Sequence, residues 1–176
     1  MTSPGKITGK LQVTTPSERE IAMIRVFDAP RRLVFDALTK PELVRRWLLG
    51  PDGWSMPVCE IDLRVGGAFR YVWRHVWRHA DRREMGMRGV FREIAGPARL
   101  VRTEVFDTPW YPGEGLDTVV LVEERGKTTV TSTVRYESQE IRDAVLRSGM
   151  ETGVARSYDR LEEILVSSST RREETV

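Results

Sequence analysis

The 176 residues carry 28 basic and 26 acidic side chains for a formal charge of +2, with 40% apolar and 31% charged residues, the balance of one ordinary globular domain. The charge is scattered rather than gathered on one element, which excludes a nucleic-acid footprint, and no apolar run approaches the ~20 residues that cross a bilayer. Cys59 is the single cysteine, so no internal disulfide forms, and the N-terminal MTSPGKITGK lacks the apolar middle of a signal peptide; a reducing cytoplasm is the expected compartment.

Residues 1–6 read as a flexible end, followed by a single domain over 7–166. Ile7 to Thr14 and Arg19 to Asp28 read as strands joined by a Thr15-Pro16-Ser17-Glu18 turn. Two short helices are expected at 30–38 and 40–48. Leu33, Val34, Ala37 and Leu38 recur as Leu43, Val44, Trp47 and Leu48, a stripe one helix face wide. Pro30 suits a first helical turn, and Thr39 with Glu42 reads as a capping box for the second helix. Gly50-Pro51-Asp52-Gly53 then breaks the chain.

Strands are expected at about 56–63, 67–79, 84–94, 99–107, 116–124 and 127–136, close enough in sequence to pair as an antiparallel meander. Gly66-Gly67 reads as a bulge that bends the sheet. Ser138 caps one long helix reaching Val166, with Leu146, Met150, Val154, Tyr158, Leu161 and Leu165 along one face. Gly149 and Gly153 on it read as a kink or close packing, or as room for a ligand. Residues 167–176 read as a disordered tail.

From Phe69 to His79 the alternation is complete. Phe69, Tyr71, Trp73, His75, Trp77 and His79 share one face; Arg70, Val72, Arg74, Val76 and Arg78 share the other. The aromatic face belongs inside, in solid core or on a cavity wall; Arg70 and Arg74 belong in water, paired with acids. Val72-Trp73-Arg74-His75 is repeated as Val76-Trp77-Arg78-His79, and an even insertion preserves the faces downstream. The second copy reads as a hairpin tip, with Trp77 a contact for a homodimer or a protein partner. His75 and His79 stand ~13 Å apart on a strand, too far for one metal ion, and no cofactor is implied.

The pieces FDAPRRLVFDAL, CEIDLRVGGAFRY, MRGVFREI, WYPGEGL and SGMETGVARSYDRLEEIL, in that order between Glu18 and Leu165, resemble the SRPBCC superfamily, in its branch related to the activator of Hsp90 ATPase. The resemblance implies an α+β helix-grip fold: a curved antiparallel sheet wrapped around a long C-terminal helix, with two short helices after the first strands. It also implies a ligand cavity. The expected wall is Trp47, Phe69, Tyr71, Trp73, Met87, Phe91, Trp110, Met150 and Tyr158.

The leading expectation is a cytoplasmic protein that holds a hydrophobic or aromatic small molecule, of lipid or polyketide type. Two alternatives stand beside it. One is an enzyme of the polyketide cyclase or hydrolase type, using a buried carboxylate. Its candidate groups are Glu60, Asp62 and His75, with the first two facing the cavity only if the strand register shifts by one. The other is a protein-interaction module related to Hsp90 ATPase activators. No nucleophile motif or phosphate loop is present to name a different reaction.

Overall fold

The computed structural model describes residues 9–75, 83–108 and 111–173. Its elements are β1 (Gln12–Thr14), β2 (Glu20–Phe27), α1 (Arg31–Thr39), α2 (Pro41–Trp47), β3 (Trp54–Ile61), β4 (Ala68–His75), β5 (Glu84–Ala95), β6 (Arg99–Phe106), β7 (Gly115–Glu124), β8 (Lys127–Arg135), α3 (Gln139–Arg147) and α4 (Met150–Glu173). The described strands form one eight-stranded sheet in the order β1-β2-β8-β7-β6-β5-β4-β3, antiparallel throughout. This is the expected α+β helix-grip arrangement.

The period-two pattern puts the aromatic face of β4 inside. Phe69, Tyr71 and Trp73 are buried, while Arg70 pairs with Asp107 and Arg74 with Glu84 on the outer side. On β2 the inward set is Ile21, Met23, Arg25 and Phe27. Arg25 is 1% exposed, yet it reaches Asp159 and Glu162 of α4 at 2.7 Å each and lies 5.4 Å from the Phe27 ring centroid. That fork ties the helix to the sheet; Tyr158 meets Phe27 edge-on one turn away, with ring centroids 5.6 Å apart.

Several local expectations are corrected. The long helix is two helices: Ser138 caps α3, accepting from the Ile141 amide at 3.2 Å, but the chain turns at Gly149, whose φ is +79°. A left-handed glycine after the C-cap ends a helix, because a Cβ there would strain the backbone. The continuous stripe Leu146-Met150-Val154 hid this break. At the other end α4 runs to Glu173, so residues 167–173 of the expected tail continue the helix; 174–176 lie outside the described residues.

Thr39 does not cap α2. It belongs to α1, where its hydroxyl donates to the Phe35 carbonyl at 2.7 Å, and Lys40 takes the cap position ahead of Pro41. Gly66-Gly67 forms a tight turn, with Gly66 at φ +84° and the Gly67 amide bonded to the Arg64 carbonyl. The bulges lie instead between Ser55 and Val58 and between Phe91 and Glu93. Strand β1 is shorter than expected and β4 ends at His75; the second tetrad, with Trp77 and His79, lies outside the described residues. No helix among the described residues is long and apolar enough to cross a membrane.

Candidate functional site

Between the inner face of the sheet and the helices lies a cavity of about 420 Å³. Its size falls within the range of small-molecule pockets, roughly 300–1,000 Å³. The roof comes from α3 and α4, through Val145, Met150, Gly153, Val154, Ser157 and Tyr158. One side comes from α2 and the loop after it, Trp47 to Pro51, and the floor from inward residues of β4 to β8.

The rim is held by backbone and helix contacts. The Gly50 amide donates to Ser157 Oγ at 2.8 Å, and Arg160 Nη1 donates to the Gly50 carbonyl at 2.6 Å. Gly153 lies so near that loop that a Cβ would come within 3.3 Å of Pro51. Small size at Gly153 therefore permits α4 to approach the rim. Two indoles are fixed as wall panels: Trp47 Nε1 donates to the Ala37 carbonyl at 2.8 Å, and Trp73 Nε1 to the Leu48 carbonyl at 2.6 Å. With each N–H satisfied on the protein side, the ring faces left for the cavity are apolar.

The floor carries a charged cluster. Arg102 Nε lies 3.4 Å from Asp117 Oδ2, and Arg102 Nη1 donates to the Tyr71 hydroxyl at 3.0 Å. The Arg102 guanidinium sits 4.7 Å from the Phe69 ring centroid. Ser132 donates to the other Asp117 oxygen at 2.7 Å, and the Tyr111 hydroxyl donates to Glu104 Oε1 at 3.2 Å.

Burial, then the neighbouring negative charge of Asp117, push the Glu104 carboxyl up to about 7; Arg102 and Tyr111 draw it back only in part. Burial works against the Arg102 charge, but Tyr71, Asp117 and Glu104 outweigh it and hold the guanidinium protonated. Burial also raises the phenols of Tyr71, Tyr111, Tyr136 and Tyr158 above their ordinary value. The cluster thus has one fixed cation and a carboxyl that exchanges its proton near neutrality.

Of the residues expected on the wall, Trp47, Tyr71, Trp73, Met87, Met150 and Tyr158 line the cavity. Phe69 and Phe91 do not. They are buried against each other with centroids 5.6 Å apart, and Arg102 covers Phe69 on the cavity side. Trp110 lies outside the described residues. Glu60 pairs in register with Arg70 and is exposed, and Asp62 bonds Arg64 at 2.8 Å on the surface, so neither faces the cavity. His75 lies against Trp54, centroids 4.9 Å apart, and does not itself line the cavity.

The carboxyls on the cavity floor are Glu104, half-buried, and Asp117, buried, which the sequence reading missed. Their signal was parity: Arg102 and Glu104 share a strand face with Leu100 and Phe106, and Asp117 shares one with Val119 and Leu121. Cys59 is buried off the cavity, and burial pushes its thiol up to about 11, opposed in part by Arg45 and Arg102.

A family model described as activator of Hsp90 ATPase homolog 1-like protein matches residues 28–166. No curated protein matches the chain. Among solved structures, a protein from Rhodobacter sphaeroides is 31% identical with a TM-score of 0.82, over 90% of this chain and 99% of that one. A protein from Nitrosomonas europaea is 25% identical with a TM-score of 0.75, over 89% and 99% of the two chains. A protein from Aeromonas hydrophila described as AHSA1-like shares the fold at 21% identity and a TM-score of 0.64, over 82% and 93%.

Proposed function

The chain belongs to the activator of Hsp90 ATPase homolog 1-like family, with the SRPBCC type of fold, and we propose that it binds a hydrophobic or aromatic small molecule of lipid or polyketide type. The supporting observation is the cavity of about 420 Å³, walled by Trp47, Trp73, Met87 and Met150 and provided with a few polar groups on its floor. An apolar body with a small number of placed polar groups is the usual composition of a ligand site. The family name describes an activity of other proteins and does not transfer with the fold.

Titration with the uncharged dye N-phenyl-1-naphthylamine tests the reading. The wild type should bind the dye with enhanced emission. Val119→Phe, which fills the cavity from β7, should abolish binding while leaving the circular dichroism unchanged. A wild-type protein that takes up no dye, and shows no co-purifying small molecule by native mass spectrometry, overturns it.

A second reading, a general acid–base enzyme acting on a polyketide-type substrate, is favoured by Glu104 alone. A carboxyl poised near neutrality inside a cavity is where such chemistry is found. Turnover of a bound ligand that is lost in Glu104→Gln, with ligand affinity retained, would select this reading over simple binding.

A further inference from the structure

The charges on the cavity floor decide what kind of polar group a ligand can carry. Among the described residues that line the cavity, Arg102 is the one cation, and Glu104 and Asp117 are the acids. The cation is shared rather than free: Asp117 lies at 3.4 Å, the Tyr71 hydroxyl takes a hydrogen bond at 3.0 Å, and the guanidinium rests over Phe69 at 4.7 Å, while Nε makes no hydrogen bond among the described residues. Asp117 is in turn occupied by the Ser132 hydroxyl at 2.7 Å. Glu104 stands two residues along β6 on the same face, with the Tyr111 hydroxyl, at 3.2 Å, as its hydrogen-bond partner among the described residues. Once Glu104 is ionised, the floor holds two negative charges against one positive.

Neutral hydrogen-bonding capacity remains. Tyr136 and Tyr158 are buried wall residues whose hydroxyls take no hydrogen bond among the described residues. A hydroxyl or carbonyl oxygen of a ligand satisfies such a group at no charge cost, whereas an unpaired buried polar group is unfavourable.

Building on the binding reading above, we propose that the cavity selects uncharged molecules carrying a hydroxyl or carbonyl oxygen, and that Glu104 makes it discriminate against carboxylates. Once Glu104 is ionised, an arriving carboxylate meets two acids and a single guanidinium whose charge they already offset. The groups facing Glu104 are Arg102 on its own strand, Asp117 on β7, Tyr111 from the loop before β7 and Tyr136 after β8. In the range of pH 6 to 8 the ionisation of Glu104 changes.

Any apolar cavity penalises a charged ligand, so weak carboxylate binding alone does not identify Glu104; its pH dependence does. The matched probes are 2-naphthol and 2-naphthoate, titrated calorimetrically into the wild type and into Glu104→Gln at about pH 6 and about pH 8. The preference of the wild type for the alcohol should grow about tenfold over that interval, the scale of repulsion between two unit charges inside a protein. In Glu104→Gln the preference should stay constant, and the carboxylate should bind more tightly than to the wild type at the higher pH. A preference independent of pH in the wild type, or one that rises equally in the variant, overturns the inference and leaves the cavity a general binding site. Binding of neither probe also overturns it, and the dye titration then decides the binding reading separately.

Discussion

Replacing Glu104 by glutamine should remove the pH dependence of stability that this one residue imposes. In the folded chain the carboxyl titrates near 7, against an ordinary value of 4.5. Below 4.5 the folded and unfolded chains both hold the proton, so its contribution is fully present there. Between 4.5 and about 7 the unfolded chain has released the proton and the folded chain has not, so stability falls as pH rises. Above about 7 both states are ionised and the loss is complete. A gap of about 2.5 pH at about 1.36 kcal/mol each gives a loss of up to about 3 kcal/mol.

Glutamine keeps an oxygen to accept from the Tyr111 hydroxyl and never ionises. The variant should therefore gain on the wild type by up to about 3 kcal/mol between pH 4 and pH 8, or about 6–12 °C in melting temperature for a chain of this length. Urea and thermal melts of both proteins across that range measure the difference curve directly, and titrating groups that do not face Glu104 cancel in it. A difference that is flat with pH, or that grows toward acid, would refute the burial argument for Glu104.

The Arg25 fork should be asymmetric under mutation. Asp159→Ala with Glu162→Ala leaves a guanidinium that is 1% exposed without its partners, at a cost of about 3–5 kcal/mol in urea unfolding. Arg25→Met leaves only two surface carboxylates and should cost less than about 1 kcal/mol; equal costs would contradict the assignment. Arg74→Ala removes a pair whose side chains are 42% and 49% exposed, so its melting temperature should match the wild type within error. Deleting Val76 to His79 shortens the connection between His75 and Arg83, which are already bonded across the hairpin at 2.9 Å, by an even number of residues. Melting should change little and any assembly through Trp77 should disappear in size-exclusion chromatography; a collapse in melting temperature would make the repeat part of the core.

Much of this fold is written in local pattern. The alternation Phe69-Tyr71-Trp73 specifies an inward face without any knowledge of the partner strands, and the capping serine at Ser138 announces a helix start. What the pattern does not carry is partnership across the sheet. Arg102, Glu104 and Asp117 are polar residues at inward positions, and a reading that sends charge to solvent passes over them. Only the pairing of β6 with β7, which sets Arg102 opposite Asp117, turns them into one cluster. Glu60 and Asp62 show the converse, because the register of β3 against β4 keeps the expected acids outside. Gly149 was ambiguous for a different reason: an uninterrupted apolar stripe runs through it, and a period of 3.6 is indifferent to a single left-handed residue.

That left-handed residue divides the mechanical behaviour of the roof. A continuous rod over 138–166 would transmit any tilt at one end to the other, and the Arg25 fork would anchor all of it. With a joint at Gly149, α4 is fastened to β2 through Asp159 and Glu162, while α3, nine residues long, has its own fastening, the Arg142 guanidinium donating to the Ser17 carbonyl at 2.8 Å. Val145 packs with Ile21 and Tyr136 in one apolar cluster, and Tyr158 belongs to the other. The cavity roof is two separately anchored pieces rather than one beam, so a substitution that removes the Arg142 contact leaves the Arg25 fork intact.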